Sequence, residues 1–416
     1  MAGRGSFGMA ALLLGLALLL LAPLHRHYPR CRVASVAATA PAAPAAPAEP
    51  AAPAAPAIPR NLTIAIFGGS TTACGGASSR DNCWTYVFGR ALEALTNSSV
   101  TLINRARGGT EADYFSSCFP RYLSGPKPDL FLLEFAINGG NVTRLVESIY
   151  RHTDIPVALV RQMACFPASR YAAGDPTARV SWPEQREEQR TAGYVYRLHE
   201  FDLVNELVPY YGSPCSRESL PKLFETRIAP GQHLGDLGHR LLGEFVAREL
   251  VRNWGAINNA SRRAGAPAGS TERESCFYAD EGGSSANSIE TAFAPEGEGW
   301  AFVEKVPGRK DKICWQSAVP GSRLVSVAPV NFDRSTMYLE YSNRPAKLRV
   351  SCGPNAAPGG SETFSEITAL HGMNGTMVKS ASLNGQCHGQ RLTVEALDAA
   401  PDRLARVCGI SMFASG

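Results

Sequence analysis

Ser70 comes directly after Gly68 and Gly69, at the end of the short apolar run Leu62–Phe67. A serine just past a buried strand lies on a tight turn, with its hydroxyl exposed where the next helix begins. The glycines permit that turn, and the helix N-terminus would supply backbone donors to a developing negative charge. A phosphate loop is not indicated, because the Gly-Lys-Ser/Thr ending is missing. A serine hydroxyl is a poor nucleophile until a neighbouring base takes its proton, and histidine titrates in the useful range. The segment Pro230-Gly-Gln-His233-Leu-Gly-Asp236-Leu-Gly-His239 offers two such bases. His233 falls in a loop, Asp236 reads as a helix N-cap, and His239 belongs to the first turn of that helix. Two further segments could hold an oxyanion. In Asn104-Arg-Ala-Arg-Gly-Gly109 a glycine amide can point at bound oxygen, and in Leu132-Leu-Glu134-Phe-Ala-Ile-Asn138 a carboxamide can reach the same place. Each segment, taken alone, also reads as an ordinary turn or cap. Their order and their positions relative to strands are what give them weight.

A scaffold that gathers these residues is visible in the alternation of strands and helices from Asn61 onward. Strands are expected at Leu62–Phe67, Val100–Asn104, Leu130–Ala136, Pro156–Met163 and Phe201–Val204. Helices are expected at Trp84–Leu95, around Tyr114–Leu123, and at Val142–His152, Glu184–Leu198 and Leu237–Arg252. Such alternation implies a parallel sheet between helical layers, with ligands collecting at the carboxyl ends of the strands. The polar, small-residue stretch Asn258–Glu274 marks a boundary. Beyond it, short β-type runs such as Leu324–Val327, Met337–Tyr341 and Lys347–Ser351 carry the signature of an antiparallel sandwich. The expected organisation is an N-terminal segment over 1–33, an Ala/Pro-rich stalk over 34–60, an α/β domain over 61–257 and a β-rich domain over 275–416.

The chain has 416 residues and a formal net charge of +4. All of that excess lies in residues 1–60, where five arginines face Glu49 alone. The rest is balanced, so it has no field with which to collect phosphate backbones, and nucleic acid is not an expected partner. Gly5 to Leu24 is uncharged and rich in leucine, intermediate between a signal-peptide core and a membrane span. The absence of a small-x-small site close behind Leu24 favours an uncleaved anchor. The arginines at 26, 30 and 32 argue the other way. Eleven cysteines occur without a CxxC pair, which gives a metal site no support. Ten of them follow the N-terminal segment. Sequons stand at Asn61, Asn97, Asn141, Asn259 and Asn374. Together these point to the secretory pathway, with the chain either secreted or held as a single-pass membrane protein at the Golgi or cell surface. The cysteines from 74 to 215 and those from 276 to 408 each number five, so full pairing needs a bridge between the two parts; Cys215–Cys276 is the expected one.

Taken together, Ser70, Gly109, Asn138 and His233 resemble the four blocks of the SGNH (GDSL-like) hydrolase superfamily. The Glu134-x-x-x-Asn138 spacing is similar to that family's third block, and Gly109 matches its glycine, with Gly108 as the neighbouring option. The resemblance covers residues 61–254. Leu339-Glu-Tyr, Arg349-Val-Ser-Cys352 and Leu392-Thr-Val resemble the β-rich tail of some plant and algal SGNH-like proteins. It implies a three-layer α/β/α flavodoxin-like parallel sheet plus a C-terminal β-sandwich-like domain. It also implies a serine ester hydrolase that works through an acyl-enzyme, without cofactor or metal, on an acyl-ester substrate such as an O-acylated glycan. Two alternatives stay open: an O-acyltransferase using the same serine, and a non-catalytic glycan-binding protein with Trp300, Trp315, Tyr338 and Tyr341 as sugar-stacking residues. The sequence departs from the family pattern at Gly69, which is often aspartate, and at Gly139, which is often aspartate too. It departs again at Pro230, where the family places an aspartate three residues before its histidine. Asp236 and His239 form the alternative acid/base pair.

Overall fold

The computed structural model describes residues 58–117, 119–123, 125–165, 183–211, 215, 219–225, 231–261, 273–278, 288–303, 314–340, 346–353, 363–368, 378–383 and 386–414. The expected N-terminal segment, the stalk up to residue 57 and the sequon at Asn374 lie outside the described residues. Five parallel strands form the first sheet: β1 (Asn61–Gly68), β2 (Ser99–Asn104), β3 (Leu130–Glu134), β4 (Val157–Arg161) and β5 (His199–Asp202), in the order β2-β1-β3-β4-β5. This is the flavodoxin-like order, and the chain reverses direction across the sheet between β1 and β3.

Side chains alternate across β1, so its two faces feed two cores. Leu62, Ile64 and Ile66 pack with Trp84, Phe88 and Leu92 of α1 (Trp84–Thr96) and with Leu242, Val246 and Leu250 of α7 (Asp236–Ser261). Ala65 and Phe67 pack on the other face with Phe115 of α2 (Ala112–Ser116) and with Leu145, Val146 and Ile149 of α3 (Val142–His152). Burial on both faces is why β3 and β4 are continuous apolar runs with no alternation in burial. α4 (Pro183–Tyr196), α5 (Leu203–Tyr211) and the short α6 (Leu220–Leu223) complete the α/β part.

The structure corrects several local expectations. No helix begins at Ser70: residues 70–76 are turns, and α1 starts at Trp84. The expected helix around Tyr114–Leu123 is divided into α2 and a 3-10 turn at Phe119–Leu123, where Pro120 has no amide with which to continue an α ladder. The fifth strand lies earlier than Phe201–Val204, because the Asp202 carboxylate accepts from the Val204 amide at 3.0 Å as the chain turns into α5. α7 runs on to Ser261, beyond the start of the expected linker.

After β6 (Arg273–Tyr278) and the short α8 (Ile289–Ala292) come β7 (Phe293–Glu296), β8 (Trp300–Val303), β9 (Cys314–Ser317), β10 (Arg323–Ser326), β11 (Val330–Phe332) and β12 (Arg334–Glu340). They are followed by β13 (Lys347–Cys352), β14 (Thr363–Thr368), β15 (Val378–Leu383), β16 (Cys387–Gln390), β17 (Leu392–Ala396) and β18 (Ala405–Ala414). Two large antiparallel sheets result, β14-β13-β17-β10-β7 and β15-β12-β18-β9-β8, with β6 also paired to β18, and β11 and β16 form a separate two-stranded sheet. Leu324, Leu348 and Val394 of the first sheet share one core with Met337, Val407 and Ile410 of the second, as in a sandwich. This part packs against the α/β part: Tyr338, Cys314 and Cys408 belong to the same cluster as Phe115 and Val142. The Tyr338 hydroxyl lies 2.6 Å from Ser117 Oγ and donates to the Asp113 carbonyl at 3.1 Å.

Disulfides join Cys74–Cys83, Cys165–Cys215, Cys314–Cys408 and Cys352–Cys387. The expected Cys215–Cys276 bridge is therefore wrong, since Cys215 is held by Cys165. Cys276 is itself disulfide-bonded. These bridges fit an oxidising, secretory environment. Among the described residues no helix is long and apolar enough to cross a membrane. Asn61, Asn97, Asn141 and Asn259 are exposed.

Candidate active site

The site is built where β1 and β3 end side by side. Gly68 is the register partner of Glu134, so the turn after β1 lies against the segment that leads from β3 to Asn138. The turn is closed by Ala73 N–H donating to the Gly69 carbonyl at 3.0 Å and Gly75 N–H donating to the Ser70 carbonyl at 2.6 Å. The Cys74–Cys83 disulfide ties it to the start of α1, and Cys74 itself takes a left-handed φ of 72°.

Thr72 fixes the turn from beneath. Its hydroxyl donates to Glu134 Oε2 at 2.6 Å and accepts from the Trp84 indole at 3.3 Å. Its carbonyl accepts from the Asn104 carboxamide at 2.9 Å, and the same carboxamide oxygen accepts from the Ala106 amide at 2.9 Å. Asn104 thus couples the loop after β2 to the serine turn. Glu134 is fully buried, and that burial pushes its carboxyl up to about 7 despite the hydrogen bond from Thr72.

Ser70 and His233 meet: His233 Nε2 lies 2.8 Å from Ser70 Oγ. The ring reaches that position because Gly75 and Gly76 leave room for the loop that carries it. A Cβ on Gly76, whose φ is +90°, would stand 2.2 Å from the Leu234 carbonyl oxygen and 2.7 Å from His233 Cβ. Burial lowers the His233 pKa, opposed by the Glu225 charge, so the ring is neutral and able to accept a proton at neutral pH.

His239 does not reach Ser70. It is fully buried, with Nδ1 accepting from the Trp84 amide at 3.2 Å and Nε2–H donating to the Gly75 carbonyl at 3.0 Å. Burial lowers its pKa to about 4. Asp236 turns away as well, accepting from the Ser78 amide at 2.8 Å, the Ser78 hydroxyl at 2.6 Å and Asn82 Nδ2 at 3.0 Å. The pair Asp236 and His239 braces the serine turn against α7 and leaves the serine hydroxyl to His233.

Asn138 is nearly buried, and its carboxamide packs on the backbone next to Ser70: a Cβ on Gly69 would fall 1.6 Å from Asn138 Oδ1. The glycine in place of the family's aspartate therefore has a physical reason, since Asn138 occupies the space a side chain at 69 would need. A Cβ on Gly108 would point at Ser70 Cβ from 3.8 Å, and Gly109 follows it with φ +65°. The loop after Asn138 is anchored by the Asn141 amide donating to Asp113 Oδ2 at 2.7 Å and the Ala112 amide donating to the Gly139 carbonyl at 3.0 Å. Sequence reading missed Thr72, Gly75, Gly76 and the Cys74–Cys83 clasp. The Cys-Gly-Gly triplet closely behind Ser70 was the available signal. Trp300, Trp315 and Tyr338 are buried, which removes them as sugar-stacking surfaces; Tyr341 lies outside the described residues. No group of three or more His, Cys, Asp or Glu able to hold a metal occurs among the described residues.

No protein-family model matches the sequence, and no curated protein matches it. Solved structures do. A two-domain esterase active on acetylated mannans, co-crystallised with mannopentaose, matches with a TM-score of 0.58 and 14% identity, covering 86% of this chain and 91% of that one. A second crystal structure of a two-domain esterase active on acetylated mannans matches with a TM-score of 0.59 and 14% identity, covering 86% of this chain and 92% of that one. The chain therefore has an SGNH-hydrolase-like fold with an antiparallel β part appended, an architecture carried by that esterase over nearly its whole length.

Proposed function

We propose that this chain, with its SGNH-hydrolase-like fold, is a serine ester hydrolase that removes O-acyl groups from glycans in the secretory pathway or outside the cell. The observation that carries the reading is the 2.8 Å contact between Ser70 Oγ and His233 Nε2 at the topological switch point of the sheet. In this reaction Ser70 Oγ attacks the ester carbonyl carbon as its proton passes to His233 Nε2. The carbonyl electron pair moves onto oxygen, where the Ser70 and Gly109 amides and the Asn138 carboxamide stabilise it. His233 then returns the proton to the leaving alkoxide, leaving an acyl-enzyme that water hydrolyses with His233 again as base. The acetylated mannans on which the structurally similar esterase acts support an acetylated polysaccharide as substrate here. The disulfides and the exposed sequons support the compartment, and the N-terminal segment is the element that would deliver the chain there.

The test is turnover of p-nitrophenyl acetate, and acetate release from an acetylated mannan, by the purified protein and by Ser70→Ala. A fall in kcat/KM of roughly 10³-fold or more is expected on loss of the nucleophile. Equal turnover by both proteins would remove Ser70 from this role.

A further inference from the structure

We propose that Glu225 is the acid that positions and supports His233, in a chain that has proline where the family has its aspartate. The inference rests on His233 being the base. A short antiparallel bridge pairs Phe224 with Leu234. On either side of it the Glu225 amide donates to the His233 carbonyl at 2.9 Å and the Gly235 amide donates to the Leu223 carbonyl at 2.9 Å. In that register Glu225 stands directly opposite His233. Successive side chains on an extended segment point to opposite faces, and directly opposed residues project from the same face with their Cβ atoms roughly 5 Å apart. Phe224 and Leu234 are 3% and 0% exposed and enter the core beside α7. Glu225 and His233, one step along each segment, therefore turn together to the opposite face, where His233 meets Ser70.

The competing acid is accounted for. Asp236 is committed to Ser78 and Asn82, and its charge acts on His239. Ser70 Oγ faces Nε2 of the His233 ring, and Gly75 and Gly76 pack beside it without side chains. His239, the nearby titratable ring, is neutral above about pH 4. The charge of the Glu225 carboxylate acts on His233 and favours the imidazolium. A carboxylate so placed stabilises the cation that forms when Ser70 loses its proton, while burial keeps the resting ring neutral. The short sequence distance between the two residues lets one β-bridge set both side chains, so no separate element is needed to bring in the acid.

The test uses the full chain carrying Glu225→Gln, which keeps the size of the side chain and removes its charge. Wild-type thermal unfolding of the variant establishes that it folds. Expected are a fall in kcat of roughly 10²-fold, at the low end of the contribution of a positioned acid–base group, and a KM within about twofold of wild type. The acid limb of kcat/KM should move to lower pH, and Glu225→Asp should recover part of kcat. The His233 ring is titrated by NMR in parallel, and its midpoint should drop by about one pH unit in Glu225→Gln. This second readout needs no turnover, so it separates the pairing from the esterase reading: an inactive wild type with a shifted ring would refute the reaction and keep the pairing. Wild-type kcat together with an unmoved His233 titration would overturn the proposal.

Discussion

The loop ending at Leu234 and the first turn of α7 each bring a histidine to the underside of the serine turn, and the surroundings divide their roles. His233 is half-buried with one ring nitrogen on the Ser70 hydroxyl. His239 is sealed from solvent, with both nitrogens taken by backbone groups of Trp84 and Gly75. A base must exchange its proton with substrate, so one nitrogen has to face the cleft. A strut must keep its donor and acceptor fixed, and full burial with a strongly lowered pKa keeps it uncharged. What separates these two uses of one residue type is the partner of each nitrogen, which neither residue identity nor spacing encodes.

Removing His233 gives the largest expected break between the two. His233→Ala should lower kcat/KM roughly 10³- to 10⁴-fold, the scale of losing a base from a serine nucleophile, while leaving thermal stability close to wild type. Ester turnover and a melting curve on the same preparation read both quantities. A large loss of stability with activity largely kept would exchange the roles assigned to the two histidines.

His239 should show the reverse pattern. His239→Gln removes a buried ring held by two hydrogen bonds, so a loss of roughly 2–4 kcal/mol is expected, with kcat/KM reduced by no more than about tenfold. Its pH dependence is more diagnostic. The folded-state pKa of about 4 lies below the ordinary 6.5, so between these values the unfolded chain holds a proton the folded chain lacks. Wild-type stability from this group is full above about pH 6.5 and is lost as pH falls through 4. Glu134 runs the other way: raised from 4.5 to about 7, it contributes fully below 4.5, and its contribution is lost as pH rises through 7. Each amounts to about 3 kcal/mol, and they offset each other across the shared window. Urea unfolding between pH 4 and 8 should therefore show His239→Gln growing less stable as pH rises, with the uncompensated Glu134 slope exposed. An unchanged pH profile would mean that His239 titrates in the folded chain as it does in the unfolded one.

How far the site could be read from the sequence follows from how local each signal is. Asn104 ends β2, and Ser70 and Asn138 follow the ends of β1 and β3, strands whose apolar residues are visible in the sequence, and α3 has the bounds its periodicity predicts. The spacing Asp236-x-x-His239 favours His239, while its place at the start of the last helix favours His233 in the loop before it, and the sequence does not show which ring turns to the serine. Contacts across the sequence left no periodic trace. The clasp of Cys74 to Cys83, the close approach of Gly76 to Leu234 and the 2.6 Å bond from Thr72 to Glu134 are each made by residues that read as turn or core material. Tyr338 is the same kind of case. Met337 and Leu339 face the sandwich core, which puts Tyr338 on the opposite face of its strand, but that it would find Ser117 and Asp113, and through Asp113 the loop after Asn138, depends on how the two parts dock.

The smallest expected effect belongs to Asp236, and it sharpens the comparison most narrowly. Partial burial works against its charge, but hydrogen bonds from Ser78 and Asn82 outweigh that and hold its pKa below the ordinary carboxylate range. Asp236→Asn keeps the shape of the side chain and weakens those bonds in an exposed setting, so about 1 kcal/mol of stability should be lost at neutral pH. The sign follows from the lowered pKa: the stabilisation is present at neutral pH and disappears in wild type as pH falls through that lowered value, so the two proteins should converge in acid. Urea unfolding at pH 7 and pH 3 reads the difference. Turnover should stay within about threefold, because the carboxylate braces residues 78–82 and does not act on His233. A loss comparable to that of His233→Ala would make Asp236, in place of Glu225, the acid behind the serine's base.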